Sequence, residues 1–248
     1  MTRMLVSVKS VAEALAAAGA GADFIDLKDP AAGALGGLPT GLIREIVAAL
    51  RGAGEPALTS ATIGDVAPSQ RAEILARVTG VAACGVDYVK VGIEPGRDSA
   101  ALLGALARCG ATVVPVLIAD DAIELALVRE ALSHDAFPAL MVDTQDKLGG
   151  SLLARRSAAE LHRFIDTVRA HGVLCGLAGA LRVADLPGVA ALAPDFAGFR
   201  SAVCAADRAG ALDASRVREI KRALSLRPDG DSARAFNVGL TNHLGSTT

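Results

Sequence analysis

Short apolar runs rich in β-branched residues alternate along this chain with longer segments whose apolar positions recur at helical spacing. The runs cover residues 4–8, 23–28, 57–63, 87–93, 112–118, 139–143, 174–178 and 195–200. Helix-length segments such as 11–18, 42–50, 71–83 and 158–170 lie between them. Near-continuous apolar strands separated by amphipathic helices are the mark of parallel βαβ units, because crossover helices cover both faces of the sheet. Eight such units predict an α/β protein of a single domain, a (β/α)8 TIM barrel, and about 250 residues is the usual length for one. An open, doubly wound sheet is the competing architecture. It would be expected to carry a G-x-G-x-x-G turn after the first strand, and none is present.

Glycines punctuate the same pattern. Gly21, Gly85, Gly110 and Gly172 each precede a strand by one or two residues, as left-handed C-caps do. The stretches Gly-Ala-Asp-Phe-Ile-Asp at 21–26 and Gly-Val-Asp-Tyr-Val-Lys at 85–90 repeat one grammar. Residues 213–225 read as the closing helix, with Asp213 as N-cap and Arg218, Lys221 and Arg222 in its later turns. The barrel domain is therefore placed at 1–227. Residues 228–248 are polar and aperiodic and are expected to form a disordered tail.

Composition narrows the function. With 52% apolar and 21% charged residues the chain can build a large core. A net charge of −2, scattered basic residues and 3% aromatics argue against nucleic-acid binding. Lys9 interrupts the apolar N-terminus, and no stretch nears 18 apolar residues, so neither a signal peptide nor a membrane span is expected. A cytoplasmic protein is the expectation. Cys84, Cys109, Cys175 and Cys204 form no C-x-x-C pair, and His134, His162, His171 and His243 show no zinc spacing. No metal and no cofactor is called for. Ala/Leu helix faces favour association into a homo-oligomer.

The lysines carry the chemistry. Arginine supplies 20 of the 25 basic residues, leaving Lys9, Lys28, Lys90, Lys147 and Lys221. Lys28 ends the second run, Lys90 lies inside the fourth, and Lys147 follows the sixth. Within a strand covered on both faces, the Lys90 ammonium must face the barrel interior or suffer heavy desolvation. Asp26 shares a strand face with Lys28, Asp143 ends the sixth run four residues before Lys147, and Asp65 follows the third. A structural Lys–Asp pair at the mouth is one reading of these residues. The other is catalysis at the C-terminal strand ends, where such barrels keep their active sites. Clustered, desolvated amines beside carboxylates suit imine chemistry on a carbonyl substrate, of the aldol or elimination type. The loops after the seventh and eighth runs hold Gly179, Ala180, Arg200 and Ser201, where small residues expose backbone N–H groups and Arg200 can neutralise a phosphate. The alternative there is a tight loop with an internal ion pair. Asp65 is a further candidate substrate contact.

The motifs Ile25-Asp26-Leu27-Lys28-Asp29-Pro30 with Gly33-Ala34-Leu35-Gly36, Ser60-Ala61-Thr62-Ile63-Gly64-Asp65, Asp87-Tyr88-Val89-Lys90-Val91-Gly92, Asp143-Thr144 with Lys147, and Leu177-Ala178-Gly179 resemble the (5-formylfuran-3-yl)methyl phosphate synthase family. They occur in order, and the resemblance covers residues 5–224. The resemblance implies a TIM-barrel lyase that condenses two glyceraldehyde 3-phosphate molecules into 4-(hydroxymethyl)-2-furancarboxaldehyde phosphate, with loss of phosphate and water. That step belongs to the synthesis of methanofuran-type one-carbon carriers. It further implies that Lys28 forms the imine beside Asp26, that Asp143 and Lys147 move protons, and that Lys90 lowers the Lys28 pKa or binds substrate. The lysine that family members can carry before the Ser-Ala-Thr motif is missing here, where the chain reads Gly54-Glu55-Pro56-Ala57. A class I aldolase of sugar phosphates and a non-catalytic barrel that binds a phosphorylated ligand are the other functions compatible with these residues.

Overall fold

The computed structural model describes residues 1–205 and 208–225, so the expected tail at 228–248 lies outside the described residues. Eight parallel strands close into a barrel in chain order, with β8 bonded back to β1. They are β1 (Arg3–Val8), β2 (Phe24–Leu27), β3 (Leu58–Thr62), β4 (Tyr88–Ile93), β5 (Val113–Ile118), β6 (Ala139–Asp143), β7 (Leu174–Leu177) and β8 (Phe196–Phe199). The barrel, and not the open sheet, is the architecture. Outside it run α1 (Val11–Gly19), α2 (Thr40–Gly52), α3 (Arg71–Ala82), α4 (Ser99–Leu106), α5 (Leu125–Leu132), α6 (Leu152–Arg155), α7 (Ala158–Arg169), α8 (Leu186–Leu192) and α9 (Ala214–Ser225). None of the described helices is long and apolar enough to cross a membrane.

Helix α6 is an addition to the eightfold pattern. Its single turn is too short to show periodicity and is held by its surroundings: Ser151 Oγ accepts from Ala154 N, and Leu152 N donates to Gly179 O at 2.8 Å. The four C-cap glycines do adopt positive φ, from +71° at Gly172 to +94° at Gly21.

The repeated Gly-x-Asp grammar has a mechanical meaning. At the N-terminal end of the barrel, Asp23 Oδ2 accepts from Met4 N (2.6 Å), and Asp87 Oδ2 from Thr59 N (2.7 Å). Asp195 Oδ2 does the same for Cys175 N (2.9 Å). Each carboxylate thus takes the N–H of the second residue of the preceding strand, which helps to fix the register of the pair. Lys221 of α9 adds a 2.5 Å ion pair to Asp23 and ties the last helix to the first βαβ unit of the barrel.

Strand alternation splits the apolar residues into two cores. Residues such as Met4, Val6, Ile25, Leu27, Ala61, Val89, Val91, Leu140 and Val142 face outward against the helices. Leu5, Phe24, Val114, Val116, Ala139, Met141 and Phe196 fill the barrel itself, with Tyr88 and Leu174 at their margin. The lower interior is therefore apolar, and the charged residues two positions further along β2, β4 and β6 form the layer above it. Gly176 of β7 makes room for the Phe196 ring, since a Cβ there would lie 2.2 Å from the ring. Gly176→Ala is expected to lower stability by about 1–3 kcal/mol through overpacking. Gly80→Ala, in α3 with nothing near its absent Cβ, is expected to raise it by roughly 0.5–1 kcal/mol. Thermal unfolding of the two variants checks both signs.

Candidate active site

Five charged side chains meet where β2, β4 and β6 end. The register lines up Ser7 of β1, Asp26 of β2 and Ser60 of β3 across neighbouring strands. Asp26 is fully buried and accepts hydrogen bonds from Ser7 Oγ (3.0 Å) and Ser60 Oγ (2.7 Å). Its Oδ1 also lies 3.1 Å from Lys90 Nζ, so the lysine inside β4 does face the interior and has a partner there. Across the barrel, Asp143 ends β6 and accepts from Thr144 N (2.8 Å), and Lys147 Nζ closes on its Oδ1 and on Thr144 O.

Lys28 stands between these pairs. Its backbone N–H still bonds Val8 O (3.0 Å), so the side chain is launched from the rim as if β2 continued. Its Nζ is 4.0 Å from Asp143 Oδ2 and 3.3 Å from Ala34 O. Lys90 and Lys147 each hold a carboxylate closely, whereas Lys28 holds none.

The electrostatics follow that geometry. Burial pushes the Lys28 ammonium down to about 8. Asp143 and Asp26 oppose this shift, and the positive charges of Lys147 and Lys90 add to it. For Asp26, burial favours the acid form, but Lys90, Lys28 and the Ser60 hydroxyl outweigh it and hold the carboxyl below its usual range. Asp143 is likewise held low against burial, by Lys147 and Lys28. Both carboxylates are therefore anions at neutral pH, and Lys28 gives up its proton far more readily than an ordinary lysine.

Above the cluster opens a cavity lined by Asp26, Lys28, Lys90, Asp143, Lys147, Ala180, Arg200, Ser201 and Arg208, among others. The five candidate catalytic residues are thus brought together with Ala180, Arg200 and Ser201. Gly179 and Asp65 are not part of that lining. Gly179 takes a φ of +116° and packs on Thr144 and Leu152, where a Cβ would come within 2.9 Å of Thr144 Oγ1. Asp65 accepts from Leu35 N (3.3 Å) and so fixes the loop between β2 and α2.

Arg200 departs from its expected role as an anion receptor. It is buried, and all five of its N–H donors are taken. Nη1 and Nη2 make a bidentate pair with Glu13 (2.6 and 3.2 Å), and the rest go to Ser7 O, Arg208 O and Gly210 O. The internal ion pair is the arrangement found. Ser7, Ser60, Glu13 and Arg208 are the residues of this site that sequence reasoning missed. The two serines were accessible to it, since they are the polar positions in register with Asp26. Among the described residues, no group of three or more His, Cys, Asp or Glu side chains converges as a metal ligand set.

Comparison with known proteins gives this geometry a family. A family model described as 4-HFC-P synthase matches residues 4–221. The (5-formylfuran-3-yl)methyl phosphate synthase of Methanopyrus kandleri is 35% identical over 238 residues, covering 90% of this chain and 99% of that one. A Methylorubrum extorquens protein provisionally given the same name is 43% identical over 233 residues, covering 93% and 95%. Among solved structures, phosphoribosyl anthranilate isomerase from Thermus thermophilus superposes with a TM-score of 0.60 at 18% identity, covering 90% of this chain and 98% of that one. A dihydrodipicolinate synthase from Bacillus clausii reaches 0.62 at 11%, covering 90% and 74%. These two likenesses concern the fold alone. On the extent of the family match and the identity to its named relatives, this chain belongs to the 4-HFC-P synthase family.

Proposed function

We propose that this enzyme is a (5-formylfuran-3-yl)methyl phosphate synthase that joins two glyceraldehyde 3-phosphate molecules through an imine on Lys28. The observation that carries the reading is the unmatched lysine: two buried ammonium groups and the part-buried one of Lys147 share two buried carboxylates, and Lys28 is the one without a close partner. A pKa near 8 gives it a usable fraction of free amine at neutral pH, where an ordinary lysine has almost none. The amine nitrogen attacks the substrate aldehyde, the carbonyl oxygen leaves as water, and the resulting iminium withdraws electrons from the neighbouring carbon. Asp143, the carboxylate nearest Lys28 Nζ and held ionised, is the base for the proton on that carbon. Lys147, bonded to Asp143, supplies the matching acid. Lys90 and Asp26 act on Lys28 by charge, and the two serines keep Asp26 oriented.

Cyanoborohydride with glyceraldehyde 3-phosphate should reduce the imine and leave a mass increment on the peptide containing Lys28. Lys28→Arg should abolish both the adduct and turnover. Full turnover by Lys28→Arg, or an adduct confined to another lysine, would contradict the reading. Formation of a furan chromophore together with released phosphate distinguishes the synthase from an aldolase that yields a ketose phosphate.

The pH dependence has a definite sign. Free amine accumulates as pH rises through the Lys28 pKa, so kcat/KM should climb with an ascending limb near pH 8. Lys147→Gln removes a like charge and frees Asp143 to attract the Lys28 ammonium, and both effects raise the Lys28 pKa. The limb in that variant should therefore move to higher pH. A limb that moves down or stays in place would refute the electrostatic account.

A further inference from the structure

With every donor of Arg200 occupied, the cavity needs another group if a phosphate is to be held there. Arg208, in the loop between β8 and α9, lines the same cavity. Its Nη2 donates to Gly33 O (3.1 Å) in the loop after β2, so the side chain links the loops after β8 and β2 at the mouth. Among the described residues its remaining guanidinium N–H groups meet no acceptor.

The backbone of this loop is unusually well anchored. Three successive carbonyls are captured from below: Arg208 O by Arg200 Nε (2.7 Å), Ala209 O by Lys9 Nζ, and Gly210 O by Arg200 Nη2 (2.8 Å). Arg200, itself locked to Glu13, is thereby a positioning residue. It holds the peptide that carries Arg208 over the site.

Charge points the same way. Of the cations lining the cavity, Arg200 is neutralised by Glu13, which leaves Lys28, Lys90, Lys147 and Arg208 facing Asp26 and Asp143. The surplus of positive charge matches a phosphate dianion, and a planar guanidinium fork is the side chain best shaped to bind one in two-point fashion. Ala180 and Ser201, small residues that leave room for a ligand, line the same cavity.

We propose that Arg208, carried on a loop tethered by Arg200 and Lys9, is the side chain that binds the substrate phosphate. The proposal rests on the reading that the substrate is a phosphorylated triose. Calorimetric titration of the full chain with inorganic phosphate at low ionic strength tests it without any need for imine chemistry. Wild type should bind, Arg208→Gln should bind about tenfold more weakly or worse, and Arg208→Lys should fall between. Arg208→Gln should also raise KM for glyceraldehyde 3-phosphate by about tenfold or more. Trapping of unphosphorylated glyceraldehyde on Lys28 should be little changed. Equal phosphate affinity in wild type and Arg208→Gln, or no binding by wild type at millimolar phosphate, overturns the proposal whether or not Lys28 reacts. Failure of wild type to trap either aldehyde, with phosphate binding still dependent on Arg208, would strike the imine reading alone.

Discussion

Burying an odd number of charges at the mouth of a barrel is the constraint on which this site depends. An ammonium withdrawn from water must find a carboxylate close by or give up its proton more easily. Asp26 satisfies Lys90 and Asp143 satisfies Lys147, each with further hydrogen bonds that keep the carboxylate ionised. Lys28 is left with a carboxylate at 4.0 Å and one backbone carbonyl. The two tight pairs are thus structural and functional at once, because by using up the anions they leave the third lysine poised to react.

The barrel makes that arrangement rigid. Parallel strands deliver Asp26, Lys90 and Asp143 from β2, β4 and β6 to the same end of the barrel, and the neighbours below are large apolar side chains that keep water out of the interior. At the opposite end, Asp23, Asp87 and Asp195 fix strand register through backbone N–H groups. A slip of one residue would turn Asp26 and Lys90 outward into the helix layer. The same side-chain type therefore does two jobs, aligning strands at the bottom and tuning amines at the top.

Much of this was legible in the sequence because the signals are local. Strands buried on both faces read as apolar runs, helix ends announce themselves with Gly21, Gly85, Gly110 and Gly172, and a lysine inside an apolar run such as Lys90 can point only inward. The rest is non-local. Arg200 looked like an anion receptor because its partner Glu13 stands 187 positions away and meets it only when β8 closes onto β1. Asp65, expected as a substrate contact because it follows a strand, accepts from Leu35 N in the loop after β2 and lies outside the lining of the cavity above Lys28. Arg208 gave no signal at all, since a lone arginine in a turn is indistinguishable from a solvated one until the loop is placed.

The central claim is that Lys28 is the buried amine which loses its proton near neutrality. The scarcity of lysine makes a direct measurement practical, since the side-chain ε-carbon signals of a chain with only Lys9, Lys28, Lys90, Lys147 and Lys221 can be assigned by single substitutions. Titration of the 13C-lysine-labelled protein by NMR should show the Lys28 signal moving with a midpoint near pH 8. A Lys28 midpoint at the value of about 10.4 typical of free lysine would contradict the account.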